Sequence, residues 1–240
     1  MVIDLHSHIL PGVDDGAYTM ADALEMARMA ADSGVRTLVA TPHYRYYGHD
    51  NHSQILETFD RLQDQLVYEQ IPLNLVLGTE IWLGRGNCPT LESNMCYPNT
   101  NWFLAEFSVD ESPENMDQML LAYADQGYRP VIAHPERYLA VLDDPIIAKH
   151  WLDRGWGVQI NRDSLLGRFG KRCHACSEFM LAQGWVNLIA SDAHWVDQRN
   201  TDWSEALEHL YRHYGHSVIK RYVEINPHKI LANQLLQNDD

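Results

Sequence analysis

Short apolar runs alternate along this chain with longer amphipathic stretches. The runs cover 2–6, 37–43, 74–81, 102–108, 129–134, 156–161 and 186–192. Their length and their β-branched and aromatic content predict strands. Segments such as "TLVA" and "NLIA" are apolar without a break, as strands buried on both faces must be. The stretches between them predict helices. One runs from Thr19 to Ser33, with Thr19 as N-cap and Gly34 just past the end. Ser53 to Glu69 is a second. Pro113 to Gln126 has proline in its first turn and stops at Gly127. Pro145 to Arg154, Lys171 to Gln183 and Trp203 to Tyr214 each stop at a glycine, and Pro227 to Leu236 closes the chain. Strand then helix, for about seven rounds, predicts a parallel α/β fold. A barrel and an open doubly wound sheet both satisfy the pattern. Neither G-x-G-x-x-G after the first strand nor G-x-x-x-x-G-K-[ST] occurs, so the nucleotide-binding open sheets lose ground.

Composition narrows the setting. The 240 residues are 45% hydrophobic and 21% charged, ordinary values for a soluble chain with a real core. No repeat, low-complexity tract or linker interrupts them, and 1–240 is taken as one domain. The formal net charge of -15 disfavours nucleic acid and anionic membrane as partners. It also means that any phosphate site needs a local positive centre. Asp4 and His6 stand where a secretory leader would be basic and then apolar, and no apolar stretch reaches membrane-spanning length. The four cysteines form no framework that a chain of this length needs. The cytoplasm is the expected location.

The chemistry sits at the ends of the runs. The first, in "VIDLHSHILPGVDDGA", gives His6 and His8, which on an extended segment share one side. The next ends give His43 in "ATPHY", Glu80 in "LGTEI", Glu106 in "LAEFS" and His134 in "IAHPER". The last gives Asp192 and His194 in "IASDAH", while "VQIN" ends in Asn161. In a (β/α) barrel the C-terminal strand ends converge on one mouth. Carboxylates packed there repel unless cations neutralise them. Imidazole with carboxylate suits zinc, manganese or iron. Any one of these motifs alone is weak; their recurrence at the same end of strand after strand predicts a centre of two or more metals.

Other candidates lack that support. His209, His213 and His216 lie at or after a helix end, and the first two have i, i+4 spacing, but nothing else converges on them, and they are expected to form a solvated helix face. His49, His52, His150, His174 and His228 have no supporting pattern either. Cys173 and Cys176 have C-x-x-C spacing but follow "GRFGKR" within a helical stretch, which predicts inert or surface thiols. No cysteine is followed by arginine six positions on, so the Cys-x5-Arg phosphatase signature is absent.

The segments "DLHSHILPGVDDGA", "VATPHY", "GTEI", "LAEFS", "VIAHPERY", "VQINRDSLLGRFGKR", "LIASDAH" and "NPHKIL" occur in this order over nearly the whole chain. Together they resemble the bacterial manganese-dependent protein-tyrosine phosphatases of capsule and exopolysaccharide loci, in the PHP (polymerase and histidinol phosphatase) superfamily. The resemblance implies a distorted (β/α)7 TIM-like barrel, the PHP fold, with three Mn2+ ions, or zinc, iron or magnesium in their place. It implies that His6, His8, Glu80 and Asp192 hold one ion. Glu80 would bridge to a second, held also by Glu106 and His134. A third would take Asp15, His43 and His194. Spacing alone does not separate Asp14 from Asp15; the resemblance selects Asp15. Arg137 in "HPER" and Arg199 in "HWVDQR" match phosphate-contacting arginines, the latter within a loop whose "WVDQR" departs from the usual sequence.

The implied activity is hydrolysis of phosphotyrosine by metal-activated water. Asp15, Glu80, Glu106 and Asp192 bring four negative charges against the six positive charges of three divalent ions. The surplus would receive a phosphate dianion despite the acidic surface, with Arg137 and Arg199 gripping its oxygens. No general acid is evident. The implied partner is a tyrosine-phosphorylated protein, the tyrosine-rich C-terminal tail of a membrane-associated autokinase that controls polysaccharide assembly. Assembly into a homo-oligomer is left open. Tyr44, Tyr46 and Tyr47 either line the entrance or are incidental loop aromatics. Two other functions compete. One is a PHP phosphatase of a small alkyl phosphate such as histidinol phosphate; the other is a metal-binding regulatory protein without turnover.

Overall fold

A computed structural model describes residues 1–44, 51–84 and 88–236. The expected alternation is present: β1 (Val2–Ser7), α1 (Met20–Asp32), β2 (Val35–Ala40), α2 (His52–Tyr68), β3 (Asn74–Leu77), β4 (Glu80–Leu83), β5 (Trp102–Phe107), α3 (Pro113–Ala124) and β6 (Arg129–Ala133). Then follow α4 (Leu139–Asp143), α5 (Ile146–Asp153), β7 (Gly157–Asn161), α6 (Arg162–Leu165), α7 (Lys171–Ala182), β8 (Leu188–Ala190), α8 (Ser204–Lys220) and α9 (Asn226–Leu231).

Local chemistry sets several ends. Thr19 is extended, and its hydroxyl accepts from the Asp22 N–H at 3.2 Å. The Asp22 carboxylate accepts in return from the Thr19 N–H at 2.9 Å, a reciprocal cap that starts α1. Ser112 caps α3 in front of Pro113. The stop expected at Gly215 is a break within α8: the glycine has φ 78 and ψ 171, and helix resumes beyond it.

All strand pairs are parallel, in the orders β1-β2-β3 and β4-β5-β6-β7-β8. Two isolated bridges join these sheets, Ser7 to Ala193 and His43 to Glu80. Backbone hydrogen bonds reinforce both seams: His8 N–H to Ala193 O at 2.8 Å, Asp192 N–H to His6 O at 2.9 Å and Glu80 N–H to Pro42 O at 3.1 Å. The run 74–81, expected to be continuous, is split, so β3 and β4 share one stave of a seven-stave ring. Gly78 lies at the step. A Cβ there would stand 3.2 Å from Val39 Cγ1 and 3.3 Å from Thr41 Cγ2, so only a bare backbone crosses this closely. The ring is a distorted (β/α)7 barrel, closed by single bridges rather than by full ladders.

Neighbouring strand residues divide between two apolar clusters. Val39, Leu104, Val131 and Leu188 lie in a smaller one with Tyr97, Trp102 and Ile230. Their neighbours Leu38, Phe103, Ile132 and Ile189 pack with helix residues such as Met26, Leu62, Met116 and Met180. This is the two-faced burial that the apolar runs predict. Among the described residues no helix is long and apolar enough to cross a membrane.

Candidate metal centre

The strand ends deliver their polar side chains to one place. His6, His8, Glu80, His134, Asp192 and His194 are all buried, and His43, Glu106 and Asp15 close the ring more openly. The backbone is bent to aim them. His134, Asp192 and Arg199 have φ of 37, 51 and 46, a left-handed conformation costly for residues with a Cβ. Three such residues in one pocket mark a place where the fold holds strain for a purpose.

The imidazoles show what the pocket lacks. His6 Nδ1–H donates to Gln159 Oε1 at 3.0 Å, an acceptor fixed because Gln159 Nε2 donates to Asn161 Oδ1 at 2.9 Å. His8 Nδ1–H donates to Asp14 Oδ2 at 2.8 Å. His194 Nδ1–H donates to the Asp192 carbonyl at 2.9 Å. Each ring therefore turns a bare Nε2 lone pair inward. The Nε2 atoms of His6 and His8 are 3.2 Å apart. Around them lie more acceptors: Glu80 Oε1 at 3.3 Å and Asp192 Oδ1 at 3.4 Å from His6, and Glu80 Oε2 at 3.2 Å from His8. Glu80 Oε1 and Asp15 Oδ1 are buried with no donor of their own. Lone pairs facing lone pairs at this range repel unless a cation lies among them. The donor set fits divalent ions.

Candidate ligand atoms fall into three groups, each within 4.8 Å: His8, Asp15, His43 and His194; His6, His8 and Glu80; and His43, Glu80 and Glu106. His134 Nε2 joins from 3.4 Å off Glu80 Oε1 and 3.6 Å off Glu106 Oε1. All nine expected positions thus meet in one pocket. The grouping departs from the expected one at His8 and His43, which each face two groups, and at Asp192 and His134, which fall within none of the three.

Asp14 and Asp15, inseparable by spacing, differ in position. Asp14 is turned away behind His8, accepting also from the Gly16 N–H at 3.0 Å and the His43 N–H at 3.0 Å. Asp15 faces in, with Oδ1 3.5 Å from His43 Nε2 and 3.6 Å from His194 Nε2. Gly16 lets this loop fold over His8: a Cβ would fall 1.9 Å from the His8 carbonyl oxygen. The last residue of "VDDG" is thus a steric requirement of the site.

The electrostatics follow from burial in this crowd. Burial opposes charge on His6, but Glu80 and Asp192 outweigh it and raise its pKa. Burial likewise opposes charge on His8, and Asp14 and Glu80 raise its pKa well above the ordinary value. Burial would raise Glu80, yet His6 and His43 hold it well below the carboxylate range. Asp192 is also held low, with Arg199 and His6 overcoming its burial. Glu106 goes the other way, pushed well up by burial and then by Glu80 and Asp192. His134 is lowered to about 4 by burial and Arg137, and His194 to about 2 by burial and His8. His6, His8 and Glu106 thus hold protons more firmly than free groups, and His134 and His194 less firmly.

Asp192 joins two kinds of site. Its Oδ1 faces the imidazoles. Its Oδ2 receives Arg199 Nη2 at 2.6 Å, Arg137 Nη1 at 3.2 Å and Asn161 Nδ2 at 2.7 Å. Both expected arginines thus stand beside the metal pocket. Asn161, the one strand end without a metal-ligand type, orients this carboxylate. Gln159, Asn161, Asp14 and Gly16 were not singled out for these roles by sequence. The only sequence signals were the acidic doublet before glycine and a polar pair in an otherwise apolar strand. Tyr44 is half-buried beside the larger cluster; Tyr46 and Tyr47 lie outside the described residues, as does His49.

On the helix expected to be a solvated face, His213 is exposed, while His209 is half-buried: Glu178 on α7 reaches its Nε2 at 2.7 Å and also accepts from the Tyr214 hydroxyl. Of the expected inert or surface thiols, Cys176 is buried, and burial pushes its thiol up to about 12, in keeping with an inert group. All four cysteines are unpaired.

Comparison with known proteins agrees with this geometry. A profile of the family "Capsular polysaccharide synthesis, CpsB/CapC" matches residues 2–232. The tyrosine-protein phosphatase YwqE of Bacillus subtilis is 37% identical over 238 residues, covering 98% of this chain and 93% of that protein. A solved structure from work on YwqE of Bacillus subtilis and CpsB of Streptococcus pneumoniae, described as metal-dependent tyrosine phosphatases, superposes with a TM-score of 0.89. It is 35% identical and the match covers 99% of this chain and 97% of that one. The phosphotriesterase homology protein of Escherichia coli, solved with phosphate in its active site, shares the fold at a TM-score of 0.64 and 12% identity, over 96% of this chain and 98% of that one.

Proposed function

The chain belongs to the capsular polysaccharide synthesis family CpsB/CapC, and on that premise we propose that it is a metal-dependent tyrosine phosphatase. One observation carries the reading: a pocket of inward lone pairs and unpaired carboxylate oxygens shares Asp192 with two arginines. A cation cage and an anion grip lie side by side, as phosphate-ester hydrolysis requires.

His6, His8, Asp15, His43, Glu80, Glu106, His134, Asp192 and His194 would hold the ions, with manganese the physiological choice. Divalent ions there would activate water and offset the charge of the phosphate. Asp14 is a fifth buried carboxylate beside the four expected ligands, so three divalent ions would leave a smaller positive surplus than those four alone imply. The arginines therefore matter more. Arg137 and Arg199 draw the phosphate toward Asp192 and hold its oxygens. Arg199 Nε is buried without an acceptor, a donor left for the incoming anion. Gln159 and Asp14 keep His6 and His8 in the tautomer that presents Nε2. A tyrosyl leaving group, with a pKa of about 10, needs less proton assistance than an alkoxide.

We read 1–240 as one domain, since one apolar cluster draws on residues from Val2 to Val223. The substrate we propose is the tyrosine-phosphorylated tail of a tyrosine autokinase governing capsule or exopolysaccharide assembly, met in the cytoplasm. The test is elemental analysis of freshly purified protein, with turnover of a phosphotyrosine peptide against alkyl phosphates, histidinol phosphate included, with added manganese. Faster alkyl-ester turnover would replace this reading with the small-molecule one. Metal-loaded protein inert toward every phosphomonoester would leave only a binding role.

A further inference from the structure

We propose that Phe169 is a positioning residue that holds Arg137 and Arg199 together as one anion grip. The proposal rests on the phosphatase reading above. Three separate segments meet here. Arg137 comes from the turn after β6, Arg199 from the loop after β8, and Phe169 from between α6 and α7. The Arg137 guanidinium carbon stands over the Phe169 ring at 4.9 Å from its centroid, and that of Arg199 at 5.5 Å. Both guanidinium groups also reach the same oxygen, Asp192 Oδ2.

Two cations converging on one oxygen repel each other. The electron-rich ring face and the carboxylate offset that repulsion from two sides. Each arginine is thus held between Asp192 and the ring. The floor itself is anchored. Ser164 on α6 donates to Glu136 Oε1 at 2.6 Å, inside the turn that carries Arg137. The fully buried Arg162 donates to the carbonyls of Asn200 and Asp202, just past Arg199, and lies 5.6 Å from the Trp203 ring. The α6 segment that leads into Phe169 therefore holds both arginine-bearing loops, the first through the Glu136 side chain and the second through backbone carbonyls.

Phe169 is half-exposed and borders a cleft of about 450 Å³ with Arg168, Arg199 and Asn200. A ring that only filled space would sit deeper in the core, and any apolar side chain of similar volume would replace it. A ring that positions cations works through its π face, which leucine and methionine lack.

The experiment compares Phe169→Leu, Phe169→Met and Phe169→Tyr in metal-loaded full-length protein. Inorganic phosphate is the probe, titrated calorimetrically and as a competitive inhibitor. Metal content, Tm, and kcat and KM on a phosphotyrosine peptide are read alongside. The Leu and Met variants should keep metal content and stay within about 2–4 °C of the parent Tm. Their phosphate affinity should fall about tenfold, with kcat falling in step, and Tyr should restore both to within about twofold. Parent-like phosphate affinity in the Leu and Met variants would overturn the proposal. So would equal loss in Tyr and Leu, or a loss that tracks metal content. An unmodified protein that binds phosphate but never turns over phosphotyrosine would sink the phosphatase reading, while the titration still reports on Phe169.

Discussion

Two pairs of histidines in this chain have ligand-like spacing, and their surroundings differ. His6 in β1 and His8 just past its end are fully buried, each with Nδ1–H given to its own acceptor and Nε2 turned toward the other ligand atoms of the pocket. His209 and His213 sit four apart on α8 with ring centroids 4.7 Å apart. There Glu178 satisfies His209 Nε2, and both side chains are about a quarter exposed, at 22% and 28%. The first pair is held with acceptors facing acceptors; in the second, His209 already has its hydrogen-bond partner and His213 is exposed to water. Spacing therefore identifies a candidate, and it is the unanswered lone pair that distinguishes a cation site.

The strongest way to break that comparison is to remove the charge shared by cage and grip. Asp192→Asn should lower metal content and reduce phosphotyrosine turnover by about a thousandfold or more, the scale of several kcal/mol of lost metal and electrostatic assistance. His6→Ala should behave alike. Arg137→Ala should lose most activity but keep its metal, because Arg137 touches Asp192 Oδ2 rather than the inward lone pairs. Elemental analysis beside steady-state kinetics separates the two classes. Metal loss in Arg137→Ala, in step with its activity, would show that arginine to be part of the cage.

The next effect acts one layer out. Asp14→Asn weakens the hold on His8 Nδ1–H, and Gly16→Ala drives a Cβ into the His8 carbonyl. Either change should weaken metal binding by about 10–100-fold, as loss of outer-shell partners does. Competition with a metal chelator measures it. Asp14→Asn with parent affinity would mean that His8 is aimed by its backbone alone.

The sequence made the staves and most of the inward residues legible, because period and strand-end position are local features. Thr19 and the glycines after helices marked boundaries for the same reason. The break at Gly78 was hidden, since the close approach there is to Val39 and Thr41, in and just past β2. The difference between Asp14 and Asp15 was hidden too: it depends on which way a loop folds over His8. Asn161 and Gln159 offered only a polar pair in an apolar run, and their partners Asp192, just past β8, and His6, on β1, lie more than 30 residues away. Glu178 escaped because it comes to His209 from a neighbouring helix. What could not be read was in each case a contact between segments distant in sequence.

A smaller effect concerns pH in protein stripped of metal. Folding raises the pKa of His6, of His8 and of Glu106; burial opposes it for the imidazoles and drives it for the carboxyl. Each group therefore binds its proton more firmly in the folded state. The imidazole contributions are complete below 6.5 and are lost as pH rises through the raised values. Glu106 disfavours folding increasingly from 4.5 upward to its own raised value. Above pH 6.5 the two imidazoles push the same way, so metal-free protein should lose stability as pH rises. Divalent ions need the deprotonated ligands, so their gain in Tm should grow over the same interval. Calorimetric scans of chelated and reloaded protein from about pH 6.5 to 8.5 test this, at about 2–4 °C per kcal/mol. A metal-induced gain independent of pH would contradict the proton-for-cation exchange.

The smallest expected effect falls on the other histidine pair, and it bears most directly on the contrast between them. His209→Ala removes one partly exposed contact with Glu178, which keeps the Tyr214 hydroxyl as a donor. The loss should be no more than about 1 kcal/mol, a fall in Tm of about 2–4 °C. Metal content and phosphotyrosine turnover should match the parent, since nothing at Glu178 leaves a lone pair unanswered. Glu178→Gln should cost a similar amount, because it weakens the bonds to His209 and Tyr214 without removing either side chain. If either variant instead lost a bound ion, a partnered imidazole pair on a helix would have proved as good a cation site as the strand pair. Unanswered lone pairs would then no longer be what separates them.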